Sequence, residues 1–158
     1  MALVDYRNTE PQAFTSVANG FRADKTAATL PASTTQNIFT VAGGRVLVNM
    51  LFGEVTTVVQ AQACNLKVTC APTTGTAVDI ASNVDINAKE ARGLFMVEGD
   101  GTALVSTTAG AAYSAVGFNP FVVAEGVIRI ATSATNTGAT KWTCYWVPLD
   151  EGATVVTA

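Results

Sequence analysis

The chain contains no histidine, and this absence excludes several kinds of active site. Histidine is the commonest general base near neutral pH, a frequent zinc ligand and the central member of the Ser-His-Asp triad. Charged residues are also scarce, at 13% of the 158 residues, and the formal net charge is −3. A weakly acidic chain lacks the basic surface that attracts nucleic acid or an anionic membrane. We therefore expect neither nucleic acid nor a membrane as a partner.

Long apolar runs are missing as well, although 49% of the residues are hydrophobic. A helix needs about 20 apolar residues to span a bilayer, and no stretch of this chain approaches that length. The opening residues, MALVDYRNTEPQ, have neither the basic start nor the apolar centre of a signal peptide. The sequence therefore predicts a protein that is made and assembled in a cytoplasm.

Cysteine is rare, since the chain has only Cys64, Cys70 and Cys144. Cys64 and Cys70 would lie about 20 Å apart on one extended strand, which is too far for a disulfide between them. The odd count and the lack of a CxxC pair favour free thiols in a reducing compartment. We therefore predict that all of these cysteines are unbridged.

What the chain does have is β-strand patterns, and the strongest covers residues 37–59. Gly43 and Gly44 divide this stretch into two predicted strands. From residue 46 to residue 52 apolar side chains occupy both alternating faces, which predicts a strand that is covered on both sides. Alternation places the following residues on one face: Val46, Val48, Met50 and Phe52. Leu47 and Leu51 belong to the other.

After Gly53 the same pattern becomes half polar, with Glu54, Thr56 and Thr57 among valines. This composition is typical of a strand that emerges toward solvent or a partner. The candidate interface residues in this part of the chain are Val55, Val58 and Val59.

Shorter β patterns fill most of the remaining sequence. Further predicted strands cover residues 65–71, 77–81, 94–97, 103–106, 121–132 and 140–147, with a loop over residues 82–93. Glu98-Gly99-Asp100-Gly101 is the clearest hairpin signal, because Asp-Gly suits the tight turns of hairpins. Many short strands with turns between them predict an all-β fold, an antiparallel jelly-roll-like β-sandwich that forms a single domain over residues 34–158.

Residues 1–33 show no strong period of either kind and predict an extended N-terminal arm. A disordered tail is the alternative, but such tails are usually poor in aromatic residues. Thirty extended residues reach about 100 Å, enough to cross to a neighbouring subunit. The arm also carries residue types that often anchor interfaces. The candidate interface residues of the arm are Tyr6, Arg7, Phe14, Phe21 and Arg22.

Few residues suggest catalysis or ligand binding. Glu98 and Asp100 could be a glycosidase carboxylate pair, but they flank a tight turn in which Asp serves the backbone. The glycines form no nucleotide-binding motif. Four oxygen-bearing residues could approach a calcium ion: Asp79, Asn83, Asp85 and Asn87. Their stretch lacks the glycine and closing glutamate of an EF-hand loop. We therefore predict that the chain is not an enzyme and has no catalytic residue, metal site or cofactor.

Two tryptophans share one face of the last predicted strand, Trp142 and Trp146, while Tyr145 lies on the other face. These aromatic side chains could form a platform on which a sugar stacks. Packing in the core of the sandwich is the interpretation we favour for the two tryptophans, because large aromatic side chains dominate cores.

Three stretches together resemble small virion proteins of tailed bacteriophages, of the kind that decorate or cement the capsid. These stretches are FTVAGGRVLVNMLFGEVTTVVQAQACNLKV, the turn PTTGTAVDIAS and the ending IRIATSATNTGATKWTCYWVPLDEGATVVTA. The resemblance covers about residues 30–158 and includes no functional motif. It implies a β-rich homo-oligomer, often a trimer, on the outer surface of the capsid. Its partner there would be the major capsid protein, and its role would be to stabilise contacts between capsomers without catalysis.

Two alternatives from other classes remain. The first is a tail or fibre component with a host-glycan-binding role, which would be present in few copies per virion, whereas decoration requires hundreds. The second is a small glycan hydrolase in which Glu98 is essential, so that turnover lost on Glu98→Gln would identify an enzyme.

Overall fold

The structure of the chain, a computed structural model, describes residues 20–108 and 119–158. These residues form strands and no helix. In chain order the strands are β1 (Phe21–Thr29), β2 (Thr35–Ala42), β3 (Val46–Thr57), β4 (Asn65–Pro72), β5 (Val78–Asp85), β6 (Leu94–Val97), β7 (Val105–Ser106), β8 (Phe121–Val123), β9 (Gly126–Thr132), β10 (Ala139–Pro148) and β11 (Thr154–Thr157).

The strands form two antiparallel sheets that enclose one hydrophobic core. Sheet A has the order β1-β10-β3-β6-β7, and β8 pairs with β3 on the same side as β6. Sheet B has the order β11-β2-β9-β4-β5. Apolar side chains from both sheets fill the space between them, among them Phe39, Leu51, Phe95, Ile128 and Trp142. The predicted all-β antiparallel sandwich is confirmed, while its jelly-roll character stays a prediction.

Strand β3 departs from the alternation that the sequence predicts. Trp146 of β10 pairs with Val48, but the next residue, Tyr145, pairs with Met50, so β3 contains one extra residue at this point. Such a bulge reverses the alternation of the faces beyond it. Leu51 is therefore buried with Val48, while Met50 and Phe52 are only half-buried. The predicted faces of Met50, Leu51 and Phe52 are wrong for this reason.

Part of the predicted arm belongs to the sandwich. Strand β1 pairs with β10 from Phe21 opposite Trp146 to Thr29 opposite Ala139. The hydroxyl of Thr157 in β11 donates a hydrogen bond to the carbonyl of Asp24 at 2.7 Å, which joins the edges of the two sheets. The boundary predicted between residues 33 and 34 is therefore corrected, because the sandwich begins at β1. Residues 1–19 of the predicted arm lie outside the described residues.

Two further predictions concern strands β5 to β7. The hairpin predicted around Glu98-Gly99-Asp100-Gly101 is confirmed, since Phe95 pairs with Ser106 and Met96 with Val105. Strand β5 continues to Asp85, so the loop predicted from residue 82 begins too early. Ser82 lies on the free edge of β5. Its backbone N–H donates a hydrogen bond to the carbonyl of Thr102 at 2.8 Å, which holds this edge.

Candidate interaction surfaces

The predicted interface residues at the end of β3 and beyond fall into two groups. Val58 is 54% exposed and remains available to a partner. Val55 and Val59 are buried in the core, so the prediction is wrong for both. The segment after β5 covers this end of β3, because the N–H of Val55 donates to Gly93 at 2.8 Å and that of Val59 to Lys89 at 2.9 Å. The sequence pattern of β3 alone contained no sign of that segment.

The predicted arm residues that the structure describes lie at the start of β1. Phe21 is 55% exposed, and its ring packs on Trp146 with 5.2 Å between the ring centroids. Arg22 makes a salt bridge of 2.8 Å with Asp24, and its guanidinium carbon lies 5.9 Å from the centre of the Tyr145 ring. The bond to Asp24 raises the pKa of Arg22. Both residues remain candidates for an interface, whereas Tyr6, Arg7 and Phe14 lie outside the described residues.

The outer side of sheet A carries a continuous group of apolar side chains, which we call the apolar face. Cross-strand pairs bring its members together: Val122 lies opposite Leu47, Leu47 opposite Val147, Met50 opposite Tyr145 and Phe52 opposite Met96. Every described strand belongs to one of the two sheets, so no described strand covers this face. Within the face Val122 is exposed, Met96 is buried and the other members are half-buried. The apolar face consists of Leu47, Met50, Phe52, Leu94, Met96, Val122, Tyr145 and Val147.

The outer side of sheet B is polar by comparison. One row across it runs from Asn37 to Arg129 and Thr69 and then to Asp79. The carboxylate of Asp79 accepts hydrogen bonds from Lys67 at 3.0 Å and from Thr69 at 2.8 Å. Partial desolvation acts to raise the pKa of Asp79, but these two bonds outweigh it and lower the pKa. The apolar face of sheet A is thus richer in apolar side chains than this row of sheet B.

A charged cluster lies beside the apolar face. Glu54 accepts from Arg92 at 3.2 Å and from Lys141 at 2.9 Å, and its side chain is only 17% exposed. One carboxylate between two cations leaves a net positive charge in this cluster. Such a charge at the rim of an apolar surface favours acidic partner groups and fixes their position more than it adds affinity.

An apolar groove opens at the end of the sandwich where β3 and β9 begin. Its volume is about 340 Å³ and no charged residue lines it. Strand β8 forms one wall, and the end of β4 with the start of β5 forms the other. Val78 and Val122, at 62% and 57% exposure, belong to its lining. The floor and sides include Cys70, Pro72, Ile80, Phe121, Val123 and Val127.

The carboxylates that the sequence offers for chemistry make local structural contacts. Asp85 accepts from the backbone N–H of Asn87 at 2.9 Å. Asp100 accepts from the hydroxyl of Thr102 at 2.6 Å and from its N–H at 2.9 Å, and these bonds lower the pKa of Asp100. Within residues 20–108 and 119–158 no group of acidic or cysteine side chains could hold a metal ion.

The tryptophans and cysteines belong mainly to the interior. Trp142 and Trp146 are buried, so the interpretation of both as core residues is confirmed. All of the cysteines are free. Burial raises the pKa of Cys70 to about 12, and burial with the nearby Cys70 raises that of Cys144 to about 12. Neither thiol is therefore ionised at neutral pH, as a nucleophile would have to be.

Sequence reasoning missed most of the apolar face and the whole groove. The apolar residues on both sides of β3 were the available signal, because a strand of that kind requires cover on its outer side too. No helix in the described part of the chain is long and apolar enough to span a membrane. Comparison of the chain with protein-family models, curated proteins and solved structures found no match.

Proposed function

We propose that this chain is a structural protein of a tailed-bacteriophage virion, which decorates the outside of the expanded capsid and stabilises contacts between capsomers. The observation that carries the proposal is the contrast between the apolar face of sheet A and the polar outer side of sheet B. A decoration protein needs one surface for the shell and another for water. The resemblance of residues 30–158 to such proteins supports the same assignment.

In this arrangement the apolar face lies on the major capsid protein and the outer side of sheet B faces solvent. Burial of apolar side chains such as Leu47 and Val147 would supply most of the attraction. The cluster of Glu54, Arg92 and Lys141 would orient the protein on an acidic part of the shell. Because the footprint spans capsomers that are correctly spaced only after expansion, binding stabilises the expanded shell over its precursor. Many copies together resist the internal pressure of packaged DNA.

The strand order supports a jelly roll as the form of the sandwich. Strands β1, β10, β3 and β6 lie side by side in sheet A, and β2, β9, β4 and β5 lie side by side in sheet B. The chain crosses between the sheets from β1 to β2, from β2 to β3 and from β3 to β4. Such crossings are expected when Greek keys wrap into two sheets, as they do in jelly rolls.

Co-sedimentation with expanded shells that lack the decoration protein tests this function. We expect the purified protein to sediment with these shells and Val147→Lys to weaken its binding by about tenfold or more, as loss of an interface anchor does. Val156→Lys is the matched control, because Val156 is an exposed valine on the outer side of sheet B. Failure of the unmodified protein to bind any shell would contradict the function. Equal binding by the two variants would contradict the orientation.

A further inference from the structure

A small polar pocket lies beside the apolar face, where the end of β3 runs between β10 and the segment of residues 91–92. Its volume is about 200 Å³, below the range of about 300–1,000 Å³ that is usual for sites of drug-sized molecules. The pocket therefore has room for a single functional group and not for a large ligand. Its lining consists of Glu54, Val55, Thr56, Ala91, Arg92 and Lys141.

Two cations and one carboxylate set the charge of this pocket. Arg92 contacts Oε1 of Glu54, and Lys141 contacts Oε2. A guanidinium has five N–H donors and an ammonium has three, so the contacts with Glu54 use only part of them. The three charges leave a net charge of one positive unit. A singly charged anion is therefore the ligand that neutralises the pocket.

The hydroxyl of Thr56 gives a second, independent observation. Its oxygen is buried and has no hydrogen-bond partner among the described residues. Such a group is unfavourable, because it has lost its bonds to water without gaining others. A hydroxyl can donate to an anion, and Thr56 belongs to the lining of the pocket. A carboxylate oxygen would supply the missing acceptor once a side chain of the lining moves and uncovers the hydroxyl.

The backbone of Arg92 has an unusual conformation at this pocket. Its φ is +75°, in the left-handed region that residues other than glycine rarely adopt. Its N–H donates to the carbonyl of Val55 at 2.8 Å, and the N–H of Val55 donates to the carbonyl of Gly93 at 2.8 Å. These bonds fix the position of Arg92 beside β3. Strained backbone positions of this kind are concentrated at functional sites.

We propose that this pocket binds one carboxylate group, held by Arg92 and Lys141 and by a hydrogen bond from the hydroxyl of Thr56. The apolar face adjoins the pocket, because Leu94 lies opposite Glu54. An acidic side chain between apolar residues of a polypeptide contacts both surfaces, whereas a small free acid contacts the pocket alone. The ligand is therefore an aspartate or glutamate side chain of a partner polypeptide. This inference rests on the proposed function only for the identity of that polypeptide.

NMR titration of the isotopically labelled protein with sodium acetate tests the pocket, at an ionic strength kept constant with sodium chloride. The amide signals of Thr56, Arg92 and Lys141 should shift and saturate. Sulfate should bind less tightly than acetate, because its two charges exceed the single positive charge of the pocket. Shifts that do not saturate, or tighter binding of sulfate, would overturn the proposal.

Thr56→Val separates a role in binding from a role in structure. It should weaken acetate binding by about tenfold, because a hydrogen bond to a charged group is lost. Without acetate it should raise the melting temperature, because it removes a buried hydroxyl that has no partner. Unchanged acetate binding or a lower melting temperature would overturn the role of Thr56.

Lys67→Gln is the matched control for Lys141→Gln. Lys67 also makes a salt bridge on the outer side of a sheet, with Asp79 at 3.0 Å. Lys141→Gln should weaken acetate binding by about tenfold or more, because a charge that contacts the anion is lost. Lys67→Gln should leave the dissociation constant unchanged. Equal effects of the two substitutions would overturn the assignment of the pocket.

A peptide with blocked ends and one glutamate between leucines identifies the source of the carboxylate. It should bind at least about tenfold more tightly than acetate, because its leucines are buried against the apolar face. Its glutamine counterpart should bind about tenfold more weakly than the glutamate peptide. Equal dissociation constants for the glutamate peptide and acetate would overturn the polypeptide as the source. Because no capsid is present, these results are independent of co-sedimentation with shells, which tests the proposed function.

Discussion

The indole of Trp142 lies directly on the backbone of Gly53 in the neighbouring strand. A Cβ added at Gly53 would be 2.8 Å from Cε2 of Trp142, closer than real Cβ atoms approach other atoms. The ring is stacked with Phe95 at 6.2 Å between centroids, and its Nε1 donates to the hydroxyl of Thr140 at 3.1 Å. The largest side chain of the core can therefore occupy this position only because Gly53 has no side chain.

Gly53→Ala should destabilise the protein by about 1–3 kcal/mol, the usual range for an overpacked core. The added methyl group must displace the indole, which Phe95 and Thr140 hold on the other sides. Urea unfolding followed by tryptophan fluorescence measures the change. Trp142→Phe is the partner for a double-mutant cycle, because a smaller ring makes room for the methyl group. Strictly additive effects of the two substitutions would contradict the close contact.

Asp150→Asn should lower the melting temperature at pH 7, and the difference from the unmodified protein should disappear in acid. The carboxylate of Asp150 accepts from the N–H of Arg45 at 2.7 Å, from its Nε at 2.9 Å and from its Nη2 at 2.8 Å. These bonds hold the pKa of Asp150 well below its usual range. Because the pKa is lower in the folded state, the contribution is complete above the unfolded pKa of about 3.9 and is lost as the pH falls through the folded value.

Scanning calorimetry from pH 7 to pH 2 checks this pH dependence. Glu151→Gln removes the neighbouring negative charge and controls for a general effect of charge. A difference in melting temperature that stays constant down to pH 2 would mean that the Arg45 contact does not act through ionised Asp150.

Quantitative thiol labelling of denatured protein, with reductant omitted throughout, should find three free thiols per chain, at Cys64, Cys70 and Cys144. A parallel sample treated with reductant before denaturation sets the full value. Fewer thiols in the untreated sample would contradict the prediction of assembly in a reducing compartment.

Truncation should separate the two parts of the predicted arm. The predicted arm over residues 1–33 implies that removal of residues 1–25 leaves the sandwich folded, but this deletion also removes Phe21 to Lys25, which pair with β10. We now expect a chain that starts at residue 20 to fold and a chain that starts at residue 26 to unfold at lower temperature. Circular dichroism melts of the two proteins measure the difference. Equal melting temperatures would mean that the first half of β1 adds nothing to the sheet.

The isolated protein should be a homotrimer. The low charge content of 13% is unusual for a monomer, which normally has a surface rich in Lys and Glu. Light scattering at micromolar concentration gives the mass, and three chains of 16.3 kDa are expected per particle. The mass of a single chain at that concentration would contradict the prediction.

The sequence identified the strands best where local rules decide the structure. Alternation with period two located β4 and β10, because a strand with one buried face must place apolar residues at every second position. The turn at Asp100-Gly101 identified the hairpin of β6 and β7, since few residue pairs suit a tight reversal. Strand β1 was missed as part of the sheet, because its partner β10 lies more than a hundred residues away in the chain.

The sequence by itself determined an all-β chain with an unusually apolar central strand and few groups for chemistry, because residue type and period act over a few neighbouring positions. Only the tertiary structure decided which side of β3 is buried beyond its bulge and which residues other segments cover. The bulge opposite Tyr145 and Trp146 turned Met50 and Phe52 outward, and the segment around Lys89 and Gly93 buried Val55 and Val59. Pairing between distant strands sets both outcomes, and so it also decided where the apolar face and the groove lie.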